Sequence, residues 1–124
     1  MKEIGGYLEL EHLISNEYYK DLIAVNTARN ALLYLCKAKN IEKLYIPYFL
    51  CDSISEICDR ENIKYEYYNI NRELKPLFNK PLLDNEYIYI VNYYGQLSDE
   101  NIHQFKSNFK NLILDNVQAF FHKL

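Results

Sequence analysis

The chain's 124 residues, 49% apolar and 25% charged with a formal net charge of −3, make one domain's worth of sequence with enough apolar side chains for a core, which excludes a disordered polyelectrolyte. The slightly acidic balance offers no basic patch, which argues against a nucleic-acid partner. No uninterrupted apolar stretch approaches the roughly 20 residues of a spanning helix, and "MKEIGG" lacks the apolar centre of a signal peptide, so the expectation is a cytoplasmic protein with no membrane partner.

Residues 1–25 read as an N-terminal arm. From Thr27 to about Lys39, Ala28, Ala31, Leu32, Leu35 and Ala38 recur at helical spacing, and Thr27 is suited to cap the first turn. "KLYIP" reads as a short strand that Pro47 ends. Ser53 with Glu56 has the form of a capping box, and Ile54, Ile57 and Cys58 then fall on one helical face. "IKYEYYNI" is the next strand, and Asn71 to Asn85, with Pro76 and Pro81, reads as a polar loop.

"EYIYIVN" is a strand too apolar for an exposed edge. After it, Ser98 is placed to cap a helix with Asp99 and Glu100 in its first turn and Ile102, Phe105 and Phe109 on its buried stripe. "NLILD" is the final strand. The alternation predicts an α/β fold, a mainly parallel sheet with helices on both faces, in one domain over 1–124. The chain has 13 Tyr and no Trp, and many of the Tyr fall in strand-like runs, where a large ring suits a pleated, half-buried surface.

Open parallel sheets bind ligands beyond the C-terminal ends of their strands. "PYFLC", "NYYG" and "DNVQ" lie there, bringing aromatic rings, an amide and the Asp115 carboxylate to one edge. "AVNTARNAL" adds a helix start whose free N–H groups suit an anion such as phosphate, with no G-x-G-x-x-G or P-loop motif beside it. Carboxylate, anion site and aromatic wall together suit a ligand with a phosphate, a flat ring and a basic ring nitrogen. Pyridoxal 5'-phosphate has all three.

The segments "IGGYLELE", "NTARNALLYL", "LYIPYFLCDSI", "IVNYYG" and "LILDNVQAFF" follow the order and approximate spacing of the first half of the large domain of DegT/DnrJ/EryC1/StrS-type aminotransferases. The chain resembles that family, whose members have the aspartate aminotransferase-like fold and transfer an amino group onto nucleotide-linked keto-sugars. The resemblance implies a partial PLP-dependent transferase large domain. It implies that Asp115 faces the pyridine nitrogen, that Gln118 lies near the ring hydroxyl, and that Thr27, Ala28 and Arg29 form the phosphate turn. Ala28 stands where the commoner pattern has glycine, and Cys51 where many members have the stacking aromatic, leaving Tyr48 or Phe49 to supply the ring. The chain ends before the position of the family's Schiff-base lysine, and Lys123 follows Asp115 too closely to be it.

Other readings stand beside these. Asp115 has an alternative as a strand-ending residue that caps a turn, and Thr27 as a plain helix cap. His12, His103 and His122 are far apart and read as solvated. Cys36, Cys51 and Cys58 show no C-x-x-C or Cys/His ligand spacing and read as buried, reduced thiols, with no metal expected. Ser53 and Ser98 read as caps, not nucleophiles. A receiver-like α/β domain would show an acidic cluster after its first strand, and none is present.

The expected protein is therefore a truncated aminotransferase, inactive without the lysine. The alternative is a non-catalytic α/β module that binds a partner or itself. Either reading exposes surface that a missing half-domain would cover, so a homo-oligomer such as a dimer, or a covering partner, is expected.

Overall fold

The computed structural model describes residues 18–121. In chain order they form α1 (Ala28–Ala38), β1 (Lys43–Pro47), α2 (Ser53–Arg60), β2 (Lys64–Ile70), β3 (Pro76–Leu77), β4 (Glu86–Val91), α3 (Asp99–Asn108) and β5 (Leu112–Asp115). Short 3-10 turns follow β4 at Tyr93–Gly95 and β5 at Val117–Ala119. No helix among the described residues is long and apolar enough to cross a membrane.

The strands form one sheet in the order β3-β2-β1-β4-β5, parallel except for β3. The sheet is mainly parallel and lies between helices, as the alternation predicts. On one face Leu32 and Cys36 of α1 and Ile54 and Cys58 of α2 pack against Leu44, Ile46, Tyr89 and Val91. On the other, Ile102 and Phe105 of α3 pack against Tyr45, Ile88 and Ile90. Each central strand sends alternate side chains to the two faces and so is apolar throughout. Ile88, Leu44 and Ile102 have no exposed surface.

No helix connects β2 to β4. The segment between them lies on the α3 face, where Phe78 meets Tyr45 at 4.7 Å and Phe109 at 5.8 Å between ring centroids. Its charged groups are tied to the sheet as well. Lys80 pairs with Glu66, which also takes Lys43 at 3.0 Å, and the Tyr45 hydroxyl donates to Glu86 at 3.3 Å.

Pro47 has a specific effect on the sheet. Lys43 donates its N–H to the Asn85 carbonyl on the β4 side, while the Glu42 carbonyl accepts from Lys64 and the Tyr48 N–H donates to Tyr68 on the β2 side, so Pro47, next to Tyr48 in the alternation, falls on the β4 side. In that register its nitrogen would donate to the carbonyl of Tyr89, but proline has no N–H. The Tyr68 hydroxyl donates to that carbonyl instead, at 2.7 Å. The β1–β4 pairing stops at Tyr45 and Ile88, and the strand ends are free to diverge above it.

Several local expectations change. Ser53 does not cap α2: Asp52 precedes the helix in helical conformation (φ −65°, ψ −9°), so the first turn starts a residue early and the Ser53 hydroxyl lies 2.9 Å from the Cys51 thiol. The loop from Asn71 to Asn85 contains β3, an edge strand. Asn71 makes the turn that returns it, accepting from the N–H groups of Glu73 and Lys75. Pro76 is tolerated there because an edge strand leaves one side unpaired. Cys36 and Cys58 are buried and free, whereas Cys51 is exposed, because it lies in the connection above β1 and not on a helix face.

Candidate functional site

β1 leads through α2 to β2 on one side, and β4 leads through α3 to β5 on the other. The order reverses between β1 and β4, and a parallel sheet opens a crevice at that reversal. The segments after β1, β4 and β5 meet there.

Asp115 closes β5 opposite Val91, and its backbone carbonyl accepts from Asn92 at 2.9 Å. Its Oδ1 accepts from the Val117 N–H at 2.8 Å, an Asx turn, so the turn-capping role is realised. Its Oδ2 accepts from the Tyr89 hydroxyl at 2.6 Å. Burial, and next the neighbouring charge of Asp115, push the Tyr89 hydroxyl well above the usual phenol range, so it stays a proton donor. Asp115, Tyr89, Asn116 and Val117 line a cleft of about 200 Å³ whose other wall is Ala28, Ala31, Leu32 and Leu35 of α1.

A second cleft, of about 310 Å³, is lined by Tyr48, Phe49, Leu50, Cys51, Tyr93, Tyr94 and Gln118. The Tyr93 hydroxyl donates to the Phe49 carbonyl at 2.5 Å, and the two rings lie 5.3 Å apart. Burial first, and then the charge of Asp115, raise the Tyr93 hydroxyl to about 12. Tyr48 stacks on Tyr67 at 4.7 Å and 14° between ring planes, both rings exposed. Gln118 uses its Oε1 to accept from the Tyr94 N–H at 3.1 Å. That bond holds the turn in which Tyr94 and Gly95 take left-handed backbone angles (φ 54° and 69°).

At the start of α1, the Thr27 hydroxyl accepts from the Asn30 N–H at 3.1 Å. The N–H groups of Ala28 and Arg29, in the first turn, have no carbonyl four residues back within the helix to bond. Thr27 and Ala28 border a third cleft of about 510 Å³, with Tyr18, Tyr19, Leu22, Ile23 and Phe120. Arg29 is exposed, lines none of the three clefts and makes no ion pair among the described residues. His103 is exposed on α3, and His12, His122 and Lys123 lie outside the described residues, as do residues 1–17 of the arm. Among the described residues no group of three or more His, Cys, Asp or Glu is placed to hold a metal ion.

The candidate residues thus divide between neighbouring clefts. Asp115 shares one with Ala28, Tyr48, Phe49 and Gln118 share another, and Ala28 joins the first to the cleft at Thr27. The turns after β4 and β5 hold these clefts side by side. A Cβ added at Gly95 would sit 3.6 Å from that of Ala119.

No protein-family model and no curated protein matches the sequence. Among solved structures, a crystal structure of a "putative aminotransferase" from Burkholderia pseudomallei K96243 matches with a TM-score of 0.51 at 11% identity. The fold is aminotransferase-like. The match covers 69% of this chain and 29% of that one, so the matched part spans less than a third of the neighbour's length.

The groups at this edge suit a ligand with an anionic end and a cationic nitrogen. The α1 start supplies free N–H groups for an anion, and Asp115 supplies a carboxylate for a cationic nitrogen. Each carboxylate oxygen has about two lone pairs and takes a single bond here, so acceptor capacity remains. None of the residues lining the three clefts is a lysine. Of the residues at this edge, the sequence displays the Asn92 amide, open to a ligand-facing or a packing role, but does not single out Tyr89. Tyr89 was one ring among many in an apolar strand. Asn92, which has no exposed surface, has both ends of its amide occupied inside the protein and so supports the site from behind.

Proposed function

We propose that this chain is the N-terminal part of the large domain of a DegT-type, pyridoxal-phosphate-dependent aminotransferase, and that it holds the cofactor's ring at Asp115. The family reaction passes an amino group from an amino acid to a nucleotide-linked keto-sugar. The observation that carries the reading is Asp115, a carboxylate at a strand end beside the switch point, in one cleft with the start of α1, on an aminotransferase-like fold.

When bound, the cofactor supplies an electron sink for the substrate's α-carbon. The chain's own residues bind and orient. Asp115 holds a proton at the ring nitrogen. The N–H groups of Ala28 and Arg29, at a turn fixed by Thr27, take the phosphate through the helix dipole. Tyr48 or Phe49 supplies an aromatic wall, and Gln118 an amide for the ring hydroxyl. With no lysine among the residues lining the three clefts, amino transfer needs a lysine from outside them, and these cleft residues bind the cofactor without themselves forming the Schiff base.

A second reading, a non-catalytic module that associates with itself or a partner, draws on β5. Asn111 and Asp115 turn their carbonyls toward β4, so Leu112 and Leu114, alternating with them, direct their backbone groups to the open edge of the sheet. All of β5 is only half-buried, and such an edge favours strand pairing. Titration of the purified chain with pyridoxal phosphate, followed by absorbance and by sedimentation velocity, tests both. Saturable binding that Asp115→Ala weakens about tenfold or more, without amino transfer from glutamate, is expected. Binding that Asp115→Ala leaves unchanged would sink the first reading. A dimer or larger species that does not bind the cofactor would establish the second.

A further inference from the structure

Asp115 has a partner whose geometry gives it a specific task. Tyr89 stands on β4 opposite Ile113, two residues before the position that faces Asp115, and its side chain lies on the α1 face of the sheet with Val91 and Ile113. From there the ring runs diagonally along the sheet, and its hydroxyl meets Asp115 Oδ2 at 2.6 Å. The Val117 N–H fixes Oδ1 in the Asx turn at 2.8 Å. One donor on each oxygen sets both the position and the rotation of a carboxylate, which one donor alone would leave free to turn.

Tyr89 is itself held from behind. It is 5% exposed, and its carbonyl, lacking a donor because Pro47 has no N–H, takes the Tyr68 hydroxyl at 2.7 Å. The short bond to Asp115 is therefore built on a rigid strand, and both Tyr89 and Asp115 line the cleft beside α1.

We infer that Tyr89 is the positioning residue for Asp115: its hydroxyl holds the carboxylate in one orientation, so that the remaining lone pairs accept the N–H of a protonated nitrogen heterocycle. This rests on the functional reading above. A purely structural tyrosine would stabilise the strand without affecting how strongly a bound ring keeps its nitrogen proton, whereas a positioning tyrosine controls that proton.

The probe is pyridoxine 5'-phosphate, which carries the ring and the phosphate but no aldehyde. Its affinity, and the pH midpoint at which its bound ring nitrogen loses the proton, are read by ultraviolet titration of the full chain and of Tyr89→Phe and Asp115→Asn. Tyr89→Phe is expected to weaken binding about tenfold and to lower the bound midpoint toward that of free ligand, while Asp115→Asn lowers it fully. Folding of each variant is checked by its urea midpoint. If Tyr89→Phe does not fold, Tyr89→3-fluorotyrosine replaces it; it keeps the ring and the hydroxyl, makes the hydroxyl more acidic, and is expected to shift the bound midpoint at unchanged stability. Equal affinity and an equal midpoint in the folded Tyr89 variant would overturn the positioning role while leaving the site intact. Absence of saturable binding by the unmodified, folded chain would overturn the site reading, and this inference with it.

Discussion

A single buried amide, Asn92, ties the end of β4 to its surroundings. Its Nδ2 donates to Asn116 Oδ1 at 3.1 Å and its Oδ1 accepts from the Leu97 N–H at 3.0 Å, so the turns after β4 and β5 share one side chain. Asn92→Ala strands a buried N–H at Leu97 and loosens the turn that carries Asp115. The expected loss is about 2–3 kcal/mol in urea denaturation, since a buried polar group left unpaired costs roughly 1–3 kcal/mol. A loss under about 0.5 kcal/mol, the range of an ordinary surface substitution, would show that the turns hold without it. "IVNYYG" displays an asparagine closing an apolar strand, which permits a ligand role as easily as an internal one. Only the partners contributed by Asn116 and Leu97 decide between them, and they come from two different turns.

At the scale of the element, helix starts show how far local signals reach. Thr27 and Ser98 precede their helices in extended conformation, and each hydroxyl accepts from an N–H three residues on. Ser53 has an equally good local pattern and does not cap, because Asp52 is already helical and places Ser53 inside the first turn. Ser98→Ala is accordingly expected to cost about 1 kcal/mol and Ser53→Ala only a few tenths, measured by paired urea melts. Equal losses would contradict the difference in geometry. The strands divide in the same way. β1, β2, β4 and β5 are apolar or aromatic runs long enough to read directly. β3 is two residues long and exists through the Asn71 turn and the neighbouring edge of β2, which no local pattern announces.

Across the whole molecule, the buried thiols and phenols predict how stability depends on pH. Burial raises Cys36 from the ordinary 9.0 to about 11 and Cys58 to about 12. It raises Tyr93 from 10.0 to about 12, and Tyr68 and Tyr89 further. These groups keep their protons longer folded than unfolded, so the stability they confer is fully present below about pH 9. It is lost as pH rises through 11 to 12, because the unfolded chain ionises first. The urea midpoint should be level from pH 7 to 8.5 and fall above 9, and Cys36→Ala/Cys58→Ala should lower the plateau but make the fall between pH 9 and 10 shallower. A midpoint that stays level to pH 11 would contradict the burial of these groups.

The alternation of elements, the core-facing stripe of α3 and the two side-chain caps were determined by the sequence itself, because each depends on a period or spacing within a few residues; on α1 only Leu32 of the expected stripe is buried, with Cys36 beside it, while Ala28, Leu35 and Ala38 are exposed. The likeness of "LILDNVQ" and "NTARNALLYL" to an aminotransferase was equally local. The tertiary structure decided which of those residues meet. The strand order sets β5 beside β4, so the carboxylate that closes one strand is held by a tyrosine 26 positions earlier on the other. It also divides the expected cradle into adjoining clefts, with Asp115 beside α1 and the aromatic rings with Gln118. Such contacts depend on sheet register, which acts between segments far apart in the chain.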